Sequence, residues 1–118
     1  MTALLKSFQL KNLSDNRLLS QLHALSKKEK ETTLDVLLSL TEVDNRRLYL
    51  SRGLGSLFDY CTRGLGYPES AALRRIRAAR VIRDYPDIHA LVEEGHATIT
   101  TLSLIAGGIG TANHRQLY

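Results

Sequence analysis

The segment from residue 27 to residue 50 constrains the fold most, because it contains neither glycine nor proline. On a helical wheel its apolar side chains leave only a narrow polar stripe. The apolar residues are Leu34, Val36, Leu37, Leu38, Leu40, Val43, Leu48 and Leu50. A helix that is apolar over most of its circumference needs neighbours on two or more sides. The sequence therefore predicts a long central helix over residues 27–50, with the rest of the domain packed around it.

Two capping signals precede this central helix. Ser14 can cap a helix, and Asp15 is favourable in the first turn that follows. A single apolar stripe comes next, formed by Leu18, Leu19, Leu22 and Leu25. Ser26 and Glu29 have the spacing of a capping box, in which the hydroxyl and the carboxylate satisfy two otherwise unpaired amides. We therefore expect two separate helices, the second of which starts near Lys27.

Glycines and prolines divide the second half of the chain into shorter helices. Gly53 suits the left-handed position after the central helix, and Ser56 is expected to cap a third helix. The inner face of that third helix is predicted to contain Leu57, Phe58, Cys61 and Leu65. Pro68 is tolerated in the first turn of a fourth helix, which must end before Pro86. These elements predict a helix-turn-helix-like unit at about residues 56–84.

Three further segments complete the predicted architecture. They are a fifth helix over 86–94 that ends at Gly95, a sixth from Thr98 or Thr100 to the glycine pair 107–108, and a last segment over 112–118. In the fifth helix, Ile88, Leu91 and Val92 are expected to face inward. Signals for β-strands are poor throughout. The predicted fold is therefore all-α, a compact bundle of six to seven helices around the central helix.

Length and composition limit the class of protein. A chain of 118 residues with 24% charged residues has the size and composition of one globular domain. We expect residues 13–118 to form a single helical domain and residues 1–12 to be a tail that docks or frays. The single cysteine excludes an intramolecular disulfide, and no apolar run approaches the ~20 residues of a membrane span. These features predict a cytoplasmic protein without membrane contact.

Positive charge is concentrated between Arg63 and Arg83, where six arginines and one acid give a net charge of +5. The whole chain has a net charge of only +4, so the remainder is close to neutral. Five of these arginines belong to the predicted fourth helix. A charge of this density on one helical element is typical of a surface that binds a polyanion.

A wheel drawn at about 100° per residue separates these five arginines. The outer side contains Arg74, Arg77, Arg80 and Val81, whereas alanines at 71, 72, 78 and 79 lie on the inner side. Arg75 falls inside the inner arc, where we expect it to form a structural ion pair. Arg83 falls at the border, and its role stays open. The small alanines allow neighbouring helices to approach closely.

No set of residues has the pattern of an active site. The four histidines lack metal-ligand spacing, and Cys61 on an apolar helix face is expected to be a buried, inert thiol. The glycine-rich run 107–110 lacks the lysine and the preceding strand of a phosphate loop. Asn113 and His114 match only part of a histidine-asparagine-histidine nuclease signature. We therefore expect no catalytic residue, no cofactor, no metal and no small-molecule substrate.

Binding of double-stranded DNA is the leading hypothesis. The second helix of a helix-turn-helix motif lies in the major groove, and the outward side chains of its N-terminal half reach bases and phosphates. Arg74 and Arg77 are the candidates nearest to bases, and Arg80 is a candidate phosphate contact. Arg63 and Ser70 are the candidate anchors to the DNA backbone at the turn.

Other interpretations of the arginine-rich helix stay open. The arginines could form a solvated face, or pair with acids elsewhere such as Asp35, Glu42, Glu93 or Glu94. They could also form a surface for a protein partner. A third alternative is homo-oligomerisation or docking of another protein, suggested by the nearly all-round apolar central helix.

Several runs resemble a known family. They are RRLYL (46–50), SLFDYC (56–61), LGYPESAALRRIRAAR (65–80), YPDI (85–88) and TLSLIAGGIGTANHRQLY (101–118), after the helix start at 13–15. Together they resemble the N-terminal helical region of bacterial HNH-endonuclease-type proteins, over residues 13–118 and most specifically over 56–80. The resemblance implies an all-helical module, placed ahead of an HNH nuclease domain, that assists DNA engagement or assembly. The complete catalytic HNH motif is absent from the chain, so the resemblance implies no nuclease activity for it.

Overall fold

The computed structural model describes residues 2–109, and this part of the chain is helical without any β-strand. Its α-helices are α1 (Thr2–Lys11), α2 (Asp15–Arg46), α3 (Leu57–Asp59), α4 (Glu69–Asp84), α5 (His89–Glu93) and α6 (Ile99–Ile109). Short 3-10 turns lie at Leu50–Arg52 and Pro86–Ile88, and a π-helical turn lies at Tyr60–Gly64. The all-α prediction is therefore confirmed for these residues. The predicted segment 112–118 lies outside them.

The helix α2 is continuous over 32 residues, so the predicted break at Ser26 is wrong. The start at Ser14 is confirmed, because the Ser14 hydroxyl accepts a hydrogen bond from the backbone N–H of Arg17 at 3.3 Å. Ser26 and Glu29 instead lie within the helix, where residues three apart are also neighbours on one face. With no glycine or proline near them, the backbone loses no hydrogen bond by staying helical.

The end of α2 comes earlier than expected, at Arg46 instead of Leu50. Arg47 adopts the left-handed conformation with φ of 51°, and its N–H donates to the carbonyls of Val43 and Asp44. Gly53, which was expected to end this helix, has φ of 75° but ends the following 3-10 turn instead. The left-handed residue that stops α2 is therefore an arginine, a residue type that sequence patterns do not favour there.

The core lies where α4 packs between α2 and α6. The buried apolar residues are Leu34, Leu37, Leu40, Leu57, Cys61, Ala72, Ile76, Ala78, Ala79, Val81, Ile82, Val92 and Leu102. The Thr41 hydroxyl donates to its own helix at the Leu37 carbonyl (2.9 Å), and it also lies 3.2 Å from the Ala79 carbonyl of α4. The alanines of α4 allow this approach, as their small size predicted.

Three details of the predicted faces are corrected by the packing. Val81 was placed on the outer side of α4 but is only 3% exposed, because α4 is covered by α6 as well as by α2. Leu65 and Leu91 were expected to face inward but are 48% and 45% exposed.

Helix boundaries in the second half follow local signals, with one exception. Ser56 caps α3, since its hydroxyl accepts from the N–H of Asp59 at 3.0 Å. Thr98 caps α6, and Thr98 and Thr101 exchange backbone-to-hydroxyl hydrogen bonds of 2.8 and 3.1 Å. The glycine pair 107–108 does not stop α6, which continues to Ile109. Glycine lowers helix propensity by only about 1 kcal/mol per residue, so it need not end a helix.

The segment predicted as a tail is helical. α1 is exposed along its whole length and contains no buried residue. No helix among residues 2–109 is both long enough and apolar enough to cross a membrane.

We expect Leu37→Ala to lower the free energy of unfolding by about 3 kcal/mol, because it leaves a cavity at the centre of the core. Leu37 is completely buried, whereas the adjacent Leu38 is 37% exposed. The matched control Leu38→Ala should therefore cost about half as much, roughly 1.5 kcal/mol. Urea unfolding followed by circular dichroism measures both values. Equal losses for the two variants would contradict the placement of α2.

Candidate nucleic-acid interface

The five arginines of α4 fall into two groups according to what surrounds them. Arg74, Arg77 and Arg80 are exposed, and none of them forms an ion pair with another residue of the described chain. They follow one another at intervals of three residues along the side of α4 that neither α2 nor α6 covers. The wheel placed all three outward, and the structure agrees.

Arg75 belongs to the second group and contacts an aromatic ring. Its guanidinium carbon lies 4.5 Å from the centroid of the Tyr67 ring, a cation–π geometry. One guanidinium nitrogen also donates to the Ala71 carbonyl at 3.1 Å. The expected ion pair of Arg75 is not present within residues 2–109. The half-buried tyrosine just before α4 takes the place of a carboxylate partner.

Arg83 is the other arginine of α4 that has partners within the protein. The sequence alone did not decide between a structural and an outward role for it. Its Nε donates to a carboxylate oxygen of Asp84 at 3.0 Å, and its Nη1 lies 3.7 Å from an oxygen of Asp44 on α2. The C-terminal end of α4 is therefore locally balanced in charge. The uncompensated positive charge of this helix lies in its N-terminal and central turns.

Arg63 and Ser70 flank the turn before α4, and both are exposed. Arg63 lies in the π-helical turn, and Ser70 lies in the first turn of α4. The turn between them is held by backbone hydrogen bonds, including one from the Tyr67 N–H to the Cys61 carbonyl at 3.0 Å. Gly66 supports this turn with a left-handed φ of 80°. These bonds hold the two predicted anchors at the beginning of the arginine-bearing helix.

A groove of about 230 Å³ borders Arg77 and Arg80, and no pattern in the sequence predicted it. It is lined by Arg77 and Arg80, by the apolar Val81, and by Ala106 of α6. The groove and the burial of Val81 have the same cause, because Ala106 of α6 lies beside the C-terminal half of α4. Arg77 and Arg80 are thus at the edge of a shallow channel between two helices.

The acids proposed as alternative partners do not reach the exposed arginines. Glu42 instead pairs with Arg46 at 2.6 Å, four residues later along α2 and in the favoured order. Glu94 lies 3.7 Å from His96, and neither Asp35 nor Glu93 forms an ion pair with the described residues. Pairing with an acid of the chain therefore does not neutralise Arg74, Arg77 or Arg80 within residues 2–109.

Cys61 is completely buried, as its position on an apolar face predicted. Burial raises the pKa of its thiol, and the positive charge of Arg75 opposes this only in part. Its thiolate, the reactive form, is therefore disfavoured at neutral pH. Within residues 2–109 there is no cluster of three His, Cys, Asp or Glu side chains that could bind a metal ion. His114 and the run that contains it lie outside the described residues.

Comparison with models of protein families, with curated proteins and with solved structures gives no match to this chain. The resemblance to HNH-endonuclease-type proteins therefore stays a hypothesis that rests on the runs quoted for it.

We expect Arg75→Gln to lower the free energy of unfolding by about 1 kcal/mol, because it removes the cation from the face of Tyr67. Glutamine is close to arginine in length and helix propensity, so little else changes. The neighbouring variant Arg74→Gln is the control, and it should stay within about 0.5 kcal/mol of the parent. Chemical denaturation of the two variants checks this difference. An equal effect at both positions would show that Arg75 has no structural role.

Proposed function

We propose that the chain is a non-catalytic module that binds double-stranded DNA, mainly through its phosphates. Arg74, Arg77 and Arg80 are the main contacts in this proposal, with Arg63 and Ser70 as anchors beside the turn. The observation that supports it best is the contrast within α4. Arg75 and Arg83 have partners within the protein, whereas the three arginines between and beside them have none among the described residues.

The spacing of the three arginines fits a phosphate backbone. Arg74 and Arg80 are six residues apart, so they are separated by ~9 Å along the axis of α4. One DNA strand advances ~3.4 Å along the duplex axis per phosphate, so this distance covers two to three phosphates. A guanidinium group can bond a phosphate with two parallel hydrogen bonds. Three such groups on one exposed arc can therefore follow a single strand.

We propose that residues 56–84 engage DNA as a helix-turn-helix-like unit. In this arrangement α3 with the π-helical turn is the first element, and α4 is the helix presented to the major groove. The N-terminal half of α4 has Ser70 and Arg74 exposed, and Arg77 begins its C-terminal half, where Ala106 of α6 lies beside Arg77, Arg80 and Val81. This favours an approach in which the N-terminal half enters the groove and Arg80 contacts the adjacent backbone.

The family resemblance suggests the wider role. HNH nucleases act on DNA, so a helical region beside such a domain is well placed to hold the substrate. We propose that this chain supplies DNA affinity to an HNH-type nuclease and has no catalytic step of its own. A protein partner with an acidic surface is the competing use for the same arginines. Binding of the purified chain to DNA without other proteins distinguishes DNA binding from binding of an acidic protein partner.

We expect the binding constant for a random-sequence duplex to fall with salt, with a log–log slope of about −3 to −5 per protomer. The variant with Arg74, Arg77 and Arg80 all replaced by Gln should lose about 2.7 of that slope, and bind roughly tenfold or more weakly at low salt. Fluorescence anisotropy with a labelled duplex at several salt concentrations measures both quantities.

The matched control removes the same charge from other helices and turns. It replaces Lys11, Lys27 and Arg52 by Gln, all of which are exposed and outside α4. This control should keep the slope of the parent. Equal losses in the two triple variants would show that binding depends on net charge alone. If the parent does not bind duplex DNA at low salt, the proposed function is wrong.

A further inference from the structure

The N-terminal part of the chain has a large uncovered apolar surface. We define the N-terminal arm as residues 2–25, which comprise α1, the connecting turn and the first third of α2. Every residue of the arm is exposed except the half-buried Leu13. Its apolar side chains, between 39% and 72% exposed, are Leu4, Leu5, Phe8, Leu10, Leu18, Leu19, Leu22 and Leu25. They are half of the sixteen exposed large apolar side chains that the structure describes.

The stripe on the arm continues a face that is used for the core further along α2. At about 100° per residue, Leu18, Leu22 and Leu25 lie on the same side of the helix as Val36 and Leu40. Leu40 is buried, and Val36 packs against the core. The same apolar face is thus covered by the protein at one end of α2 and by nothing in residues 2–109 at the other. At the boundary, Leu25 lines a groove of about 440 Å³ with Val36 and Ile99 of α6.

Isolated helices of this kind are not stable. Helices shorter than about 12–15 residues are marginal in water without tertiary contacts, and α1 has ten residues with none of them buried. Its apolar Leu4, Leu5 and Phe8 lie on one side, as on a helix that packs against another surface. The radius of gyration of 17.7 Å exceeds the ~13.5 Å expected for a compact chain of this length. Within residues 2–109, therefore, the arm lacks the tertiary contacts that would stabilise it.

The amount of surface fits a pair of identical chains. Full burial of a leucine removes on the order of 100 Å² of apolar surface from water, so eight side chains that are about half exposed offer roughly 450 Å². Interfaces are roughly 60% apolar, which gives about 750 Å² per copy. A stable dimer buries ~800 Å² on each partner. The surface of the arm is thus close to what one protomer contributes.

The charges of the arm favour a second copy over a charged partner. Its only charged side chains are Lys6, Lys11, Asp15 and Arg17. This low density of charge causes little electrostatic repulsion between two copies. It also provides no strong electrostatic attraction for an acidic or a basic partner protein. Two amphipathic helix pairs related by a two-fold axis can enclose their apolar stripes as a four-helix arrangement.

We propose that the chain forms a homodimer in which the N-terminal arms of two copies pack against each other through these apolar stripes. The pairing is independent of the proposed DNA contacts, which lie on α4 and the π-helical turn before it. It covers the stripe of α2 and supplies the tertiary contacts that α1 lacks within residues 2–109 of one copy.

Light scattering during size-exclusion chromatography tests the proposal with the full chain at several concentrations. The parent should have twice the mass of one chain. Leu18→Gln combined with Leu22→Gln should raise the dimer dissociation constant by roughly a hundredfold, since four leucines are lost from one interface. Glutamine is a good helix former, so the substitutions do not break α2. The control Leu104→Gln, which alters a leucine that is 71% exposed on α6, should stay dimeric.

A second measurement does not depend on how well the double variant folds. Since Cys61 is buried, a spin label on Gln21→Cys reports on the arm alone. Paired arms give a defined distance between labels on the two copies. A strictly monomeric parent, a parent dimer unaffected by the Leu18 and Leu22 substitutions, or the absence of any distance between labels overturns the proposal.

Discussion

The close approach of α2 and α4 is the constraint on which the rest of the structure depends. Ala72 and Ala79 are 0% and 2% exposed, and the Thr41 hydroxyl of α2 reaches the Ala79 carbonyl at 3.2 Å. A larger side chain at either alanine would force the helices apart, because a packed core has no room for added volume. This contact fixes the rotation of α4 about its axis, and thereby determines which arginines reach solvent.

The packing of α4 divides its arginines into those that contact other parts of the protein and those that are exposed to solvent. Covered on two sides, the helix leaves one free arc, and Arg74, Arg77 and Arg80 lie on it. The arginines at the borders of that arc contact what the neighbouring elements offer, the Tyr67 ring for Arg75 and Asp44 for Arg83. Exposed ion pairs contribute only about 0–1 kcal/mol, so Arg83 contributes more to local charge balance than to stability. The candidate interface therefore consists of the three arginines of α4 that form no such contact among the described residues.

Local signals in the sequence predicted much of this arrangement. The caps at Ser14 and Ser56 depend on a side chain and an amide three residues away, and both were correct. The outward position of Arg74, Arg77 and Arg80 followed from the helical period alone. Errors arose where distant elements decide the outcome. The break at Ser26 was wrong because Ser26 and Glu29 have the same spacing in a capping box and in a helix interior. The outer placement of Val81 was wrong because its burial depends on α6. Neither the contact of Arg75 with Tyr67 nor the uncovered arm has a signal in residue spacing.

The division of the arginines is the central claim, and nuclear magnetic resonance of their side chains tests it most directly. Each guanidinium Nε–H group gives a signal that responds to binding of a phosphate. In a titration of the ¹⁵N-labelled chain with a short DNA duplex at low salt, the signals of Arg74, Arg77 and Arg80 should shift, while those of Arg75 and Arg83 should stay unchanged. If the duplex binds and Arg75 and Arg83 shift as much as the other three, or if none of the three shifts, the account is contradicted.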